Sequence, residues 1–169
     1  MNGSQVLSTA GLGTVSPSTW SILGSDLFGD IFWRDTSGDL AIWQVSGGQV
    51  VASAGLGNVP SNWQVAGFGD FNGDGVIDIL WRDSNSGTVA IWFLTSSMTV
   101  QSAASLGAVS SNWNIVQTGD YNGDGKSDIL WKDSSGNVAV WFMNGGAVAS
   151  TAGLGNVGTS WLVQSLNAE

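Results

Sequence analysis

The chain has 169 residues and a formal net charge of −9, with four Lys and Arg against 13 Asp and Glu. Only 10% of residues are charged, 43% are hydrophobic and 25 are glycine, which excludes disorder and indicates short strands joined by tight turns. The four basic residues, Arg34, Arg82, Lys126 and Lys132, cannot form a phosphate-tracking stripe, so nucleic acid and anionic membranes are excluded as partners; no apolar run reaches the ~20 residues of a membrane span.

Along the chain, four landmarks recur in a fixed order. The opening "MNGSQVLSTAG" lacks the charged n-region and apolar h-region of a signal peptide. Its segment "QVLSTAGLG" (5–13) reads as a fourth strand and ends in the first Gly-Leu-Gly, at 11–13. A lone Trp20 opens the first repeat, which passes through "WRD" (33–35) and "AIW" (41–43) to "GLG" (55–57). The second repeat opens at Trp63 and reads as the strands "WQVAG", "DILWRD", "VAIWFL" and "TVQSAASLG", rich in tryptophan and β-branched residues with turn residues between them. The third runs from Trp113 through "WKD" (131–133) and "AVW" (139–141) to "GLG" (153–155), and Trp161 opens a last first strand, "WLVQSLN". The landmarks are spaced by 43 to 50 residues, the period of a propeller blade.

The expected fold is therefore all-β, with β-propeller blades of four antiparallel strands. A single repeat domain, 1–169, would hold three full blades at about 20–57, 63–107 and 113–155. Residues 1–13 would supply an unpaired fourth strand and 161–169 an unpaired first strand, giving 14 strands in all. Strands two and three are nearly continuous apolar runs, which implies burial on both faces. Three blades do not close a ring. Exposed edges at both ends predict that the chain pairs with itself, a two-fold dimer being the favoured form.

Between strands one and two, "GDFNGDGVIDILW" sets Asp70, Asn72, Asp74 and Asp78 at positions 1, 3, 5 and 9 of a loop, with Gly75 at position 6 and the Val76 carbonyl at position 7. The third repeat matches it with Asp120, Asn122, Asp124, the Lys126 carbonyl and Asp128. Oxygen donors at this spacing are those of a calcium loop. The loop is not an EF-hand, because position 12 is Trp81 or Trp131 and the flanks read as strands. The first repeat keeps Asp26 and Asp30 but is five residues shorter between its tryptophan and Asp30 than the second between Trp63 and Asp78. Two Ca2+ per chain are expected, bringing the net charge from −9 to −5.

These two stretches resemble the FG-GAP, or VCBS-type, repeat of integrin α-chain propellers and many secreted bacterial proteins, and the likeness extends over nearly the whole chain. The resemblance implies a β-propeller, calcium in the loops and an extracellular setting. Some members are adhesion modules, and some, including fungal propeller lectins, bind sugars.

Catalysis is not expected. There is no histidine or cysteine, and Glu169 is the only glutamate. Asp35, Asp83 and Asp133 stand at the same place in every repeat, directly before a turn, where capping accounts for them. The excess is in tryptophan, ten in all, most of it core. On the rim opposite the calcium loops, Asn62 and Trp63 lie near Arg82, and Asn112 and Trp113 near Lys132. An aromatic plane flanked by amide and cationic donors can stack on and hydrogen-bond a sugar. The first reading is a calcium-binding module that takes carbohydrate or a cell-surface ligand. The alternative is a structural or adhesive self-assembling repeat protein with no small ligand.

Overall fold

The computed structural model describes residues 11–12, 19–26 and 28–163, and their regular structure is entirely strand. The chain forms two compact units, Met1–Ser61 and Asn62–Glu169. The first holds β1 (Trp20–Ser25), β2 (Ile31–Asp35), β3 (Asp39–Ser46) and β4 (Gln49–Asn58) in one antiparallel sheet, paired in chain order. The second holds two sheets of the same plan. One is β5 (Trp63–Gly69), β6 (Asp78–Asp83), β7 (Thr88–Leu94) and β8 (Val100–Ala108). The other is β9 (Trp113–Gly119), β10 (Asp128–Asp133), β11 (Asn137–Asn144) and β12 (Ala147–Asn156).

The three sheets fall on the three expected repeats, and each opens at its lone tryptophan, paired with the aspartate that ends the second strand: Trp20 with Asp35, Trp63 with Asp83, Trp113 with Asp133. They do not close into a ring. The fourth strand expected at the start lies outside the described residues except for Gly11 and Leu12, which are in no strand. Trp161–Val163, where the unpaired first strand is expected to open, have no ladder partner among the described residues. Residues 164–169 lie outside the description.

Burial follows the apolar runs with one difference. In β6 and β10 the first four residues, "DILW", are all buried, in keeping with their nearly continuous apolar run. The third strand alternates instead: β7 runs half-buried and buried by turns from Thr88 to Phe93. In the second unit one core joins the two sheets, built on Phe71, Leu80, Val89, Ile91, Ile129 and Trp131. There β5 and β9 come close. The Thr118 hydroxyl donates to the Phe68 carbonyl at 2.5 Å, and a Cβ on Gly67 would lie 2.8 Å from Thr118.

Each repeat also packs its second-strand tryptophan on its third-strand tryptophan. The pairs are Trp33–Trp43, Trp81–Trp92 and Trp131–Trp141, with centroids 4.8, 5.3 and 4.9 Å apart and planes inclined by 54°, 61° and 53°. The indole N–H of Trp33, Trp81 and Trp131 is buried with no hydrogen-bond partner among the described residues.

The turn between strands two and three is closed by glycine. Gly87 has φ +73°, and its carbonyl accepts the Val109 N–H at 3.0 Å. A Cβ there would meet the Val109 oxygen at 2.3 Å, so no larger residue fits. Trp81→Ala should cost about 3–5 kcal/mol, read as a shift of the urea unfolding midpoint at unchanged slope. A loss within 0.5 kcal/mol would contradict the packing described.

Candidate functional site

The connection from β5 to β6 is a chain of Asx turns. Asp70 Oδ1 accepts the N–H of Gly73 at 2.7 Å and of Asp74 at 3.2 Å, and Oδ2 accepts that of Gly75 at 2.8 Å. Asn72 Oδ1 accepts Asp74 N–H at 2.9 Å, and Asp74 Oδ1 accepts Val76 N–H at 2.8 Å. The loop between β9 and β10 repeats this bond for bond through Asp120, Asn122, Asp124 and Lys126. Its Asp120 is held below the ordinary carboxylate range, first by the Gly125 N–H. Gly75 and Gly125 take φ of +81° and +82°, the left-handed turn that brings the chain back toward its own carboxylates.

Position nine behaves differently. Asp78 and Asp128 are fully buried. Asp78 Oδ2 accepts the Phe71 N–H and Oδ1 the Leu94 N–H, both at 3.0 Å. Asp128 does the same with Tyr121 and Met143, at 3.0 and 2.9 Å. Each ties the loop to the end of the third strand. In the first repeat Asp30 keeps half of this role, accepting the Val45 N–H at 3.4 Å. There the shortened loop closes on Asp26, which accepts from Phe28 and Asp30 at 2.9 and 2.8 Å.

The donor set fits a hard divalent cation in kind: carboxylates, an amide oxygen and a turn carbonyl in each loop, with no nitrogen or sulfur ligand. Its charges also act on one another. Burial above all, and then the charges of Asp74 and Asp70, push the Asp78 carboxyl up to about 6. Among the described residues no three carboxylates stand close enough together to hold an ion; the loop's own N–H groups hold the same oxygens. The two loops touch. Ser127 N–H donates to the Asp70 carbonyl at 2.6 Å, and a Cβ on Gly69 would meet the Ser127 side chain at 2.5 Å.

The opposite end of the second strand carries the other candidate residues. Arg82 donates to the carbonyls of Val109 at 3.2 Å, Ser110 at 3.1 Å and Trp113, and its guanidinium lies 5.5 Å from the Trp131 ring centroid. Lys132 donates to the Trp161 carbonyl. Arg34, a residue the sequence reading left out of the site, donates to Val59 and Pro60 at 2.5 and 2.8 Å. The base of each "WRD" or "WKD" thus staples the segment that follows its own sheet; its recurrence in all three repeats was the signal available. The carbonyl of Asn62 accepts the Ser84 N–H at 2.8 Å, and that of Asn112 accepts the Ser134 N–H at 2.9 Å. Trp63 and Trp113 are half-buried, and Trp113 packs on the core between the sheets. Beside Arg82 lies a cleft of 480 Å³, lined by Ser84, Asn85, Ser86, Ser110, Ser111 and Asn114.

The aspartates before the turns cap them. Asp35 accepts from Ser37 and Asp39, Asp83 from Asn85 and Ser86, and Asp133 from Ser135 and Asn137. All three are held below the ordinary carboxylate range: Asp35 chiefly by the Ser37 hydroxyl, Asp83 by the Asn85 N–H and Asp133 by the Asn137 side chain.

Asp78 gives the fold a pH dependence. The folded chain holds this proton more tightly than the unfolded chain, where an aspartate titrates near ~3.9. Its contribution is therefore full below pH about 4 and is lost as the pH rises through about 6. With EDTA present, urea unfolding should show stability falling between pH 4 and pH 7. Asp78→Asn should reduce that slope without abolishing it, since Asp26 is shifted in the same direction by burial and by Asp30. An unchanged slope in the variant would refute the assignment.

The match to known proteins coincides with this part of the chain. The FG-GAP-like repeat family matches residues 70–131, from the first aspartate of one loop to the tryptophan that follows the other. No curated protein matches the chain. That stretch is similar to the FG-GAP-like repeat, and three antiparallel sheets of four strands each are consistent with a repeat protein of the FG-GAP β-propeller type.

Proposed function

We propose that the protein is a calcium-binding, extracellular binding module whose ligand is carbohydrate. The observation that carries the calcium reading is the pair of nine-residue loops, each offering the same oxygen donors at positions 1, 3, 5, 7 and 9. Asp70, Asn72, Asp74, the Val76 carbonyl and Asp78 would hold one ion, and Asp120, Asn122, Asp124, the Lys126 carbonyl and Asp128 the other. A divalent cation would neutralise carboxylates that the chain itself leaves uncompensated at −9. Binding is favoured over catalysis because there is no histidine or cysteine, and the recurrent aspartates Asp35, Asp83 and Asp133 are engaged in turns. FG-GAP repeats are typical of extracellular proteins, which accords with sites of modest affinity in a calcium-rich medium.

The carbohydrate reading rests on the polar cleft beside Arg82. Hydroxyl and amide groups at its wall can exchange hydrogen bonds with sugar hydroxyls. Arg82 acts there as scaffold, since it spends its donors on backbone carbonyls, as Lys132 does one repeat later. Asn62, Trp63, Asn112 and Trp113 are not among the residues that line the cleft.

Sites of this kind bind calcium at ~10⁻⁴ to 10⁻³ M. At ten times Kd each adds about 1.4 kcal/mol, so the two add about 3 kcal/mol. EDTA should lower the melting temperature, and titration calorimetry should fall from two ions to one in Asp74→Ala or Asp124→Ala. Identical melting in calcium and EDTA would end the calcium reading. On a glycan array the protein should retain a subset of sugars, and Asn114→Ala should lose them at unchanged melting temperature. An array without hits, or binding indifferent to Asn114→Ala, would remove carbohydrate from this cleft.

A further inference from the structure

Within the second unit, the junction between the sheets β5–β8 and β9–β12 shows which residues one repeat presents to the next. On the exit side are Phe71, Leu106 and Val109, with Phe71 fully buried and the other two packed on the shared core. One repeat later the same places are Tyr121, Leu154 and Val157, and these are 43%, 58% and 46% exposed. Beside Val157 lies an apolar cleft of 620 Å³, bounded by Val138, Trp161, Leu162 and Val163. The third repeat therefore carries an exit face made like that of the second, with nothing of its kind against it among the described residues.

The entry side of the same junction is made by Ile115, Ile129 and Trp131 of the third repeat. The pairing register gives their counterparts in the first sheet. Ile22 pairs with Trp33 as Ile115 pairs with Trp131, and Ile31 pairs with Trp43 as Ile129 pairs with Trp141. Ile129 and Trp131 are 0% and 1% exposed. Ile31 and Trp33 are only half-buried, and Ile22 is 60% exposed. Among the described residues, every large apolar residue that stands exposed belongs to the first repeat or to the third and the segment that follows it; the second has none.

We infer that the exit face of the third sheet, centred on Leu154 and Val157, is covered by the entry face of the first sheet, centred on Ile22, of a second copy of this chain. The contact is head to tail, so the two surfaces differ, and repetition generates a ring or an open array according to whether the rotation closes. It reuses a junction already built inside the chain. The reading is independent of calcium or sugar.

A head-to-tail contact can be tested by mixing. Leu154→Lys spoils the exit face and leaves the entry face; Ile22→Lys does the reverse. Both positions are largely exposed, so neither change should disturb the fold, and in an acidic chain added lysine brings no new repulsion. By sedimentation velocity at micromolar concentration the wild-type chain should be larger than a monomer. Each variant alone should be monomeric, with unchanged circular dichroism. An equimolar mixture should form a one-to-one dimer and nothing larger. A monomeric wild-type chain, a single variant that still assembles, or a mixture that remains monomeric would each overturn the inference.

Discussion

A sheet whose second strand is apolar on both faces cannot be stable against water on either side. "DILW" in β6 and β10 imposes that condition, with Ile79, Leu80, Trp81, Ile129 and Trp131 all between 0% and 1% exposed. Within the second unit, Leu80 of one sheet and Ile129 and Trp131 of the next are buried in one shared core. The glycines at the contact, Gly67 and Gly69, are where the sheets come too close for a Cβ. Repetition is thus the means by which each repeat obtains a core that it could not make alone.

The same constraint divides the acidic loop into two parts. Asp70, Asn72 and Asp74 turn back on the loop's own N–H groups and remain near solvent. Asp78 goes beneath the loop and fastens it to the third strand through Phe71 and Leu94. Its counterpart Asp30 survives in the first repeat, where the loop is shortened. The ninth residue has a structural task in every repeat, and any ion bound above it would share a carboxylate that the fold already uses.

Scarcity of positive charge follows a similar logic. Three of the four basic side chains, Arg34, Arg82 and Lys132, donate to main-chain carbonyls just after β4, β8 and β12. These carbonyls lie where the chain leaves a sheet and has no ladder partner. The fourth, Lys126, lies in an acidic loop, with its side chain beside Gly73 of the other.

The strands and their order were legible in the sequence because both depend on local pattern. The lone tryptophans mark the first strands, the "WRD" and "WKD" runs end the second ones, and the Gly-Leu-Gly runs lie within or at the close of the fourth ones. The oxygen spacing of the loops was legible for the same reason, and the capping by Asp35, Asp83 and Asp133 follows from their place before a turn. The direction in which a side chain points was not. Asp74 and Asp78 are four residues apart and look alike in the sequence, yet one is exposed and the other buried. Arg82 and Lys132 read as free donors until the carbonyls opposite them, 27 to 31 residues further along the chain, were in place. Leu106 and Leu154 occupy the same position in the same motif, and only the sheet packed on the first keeps it from water. Burial is a property of what lies across the gap between sheets, and a repeat sequence, identical on both sides of each gap, carries no mark of where the stacking stops.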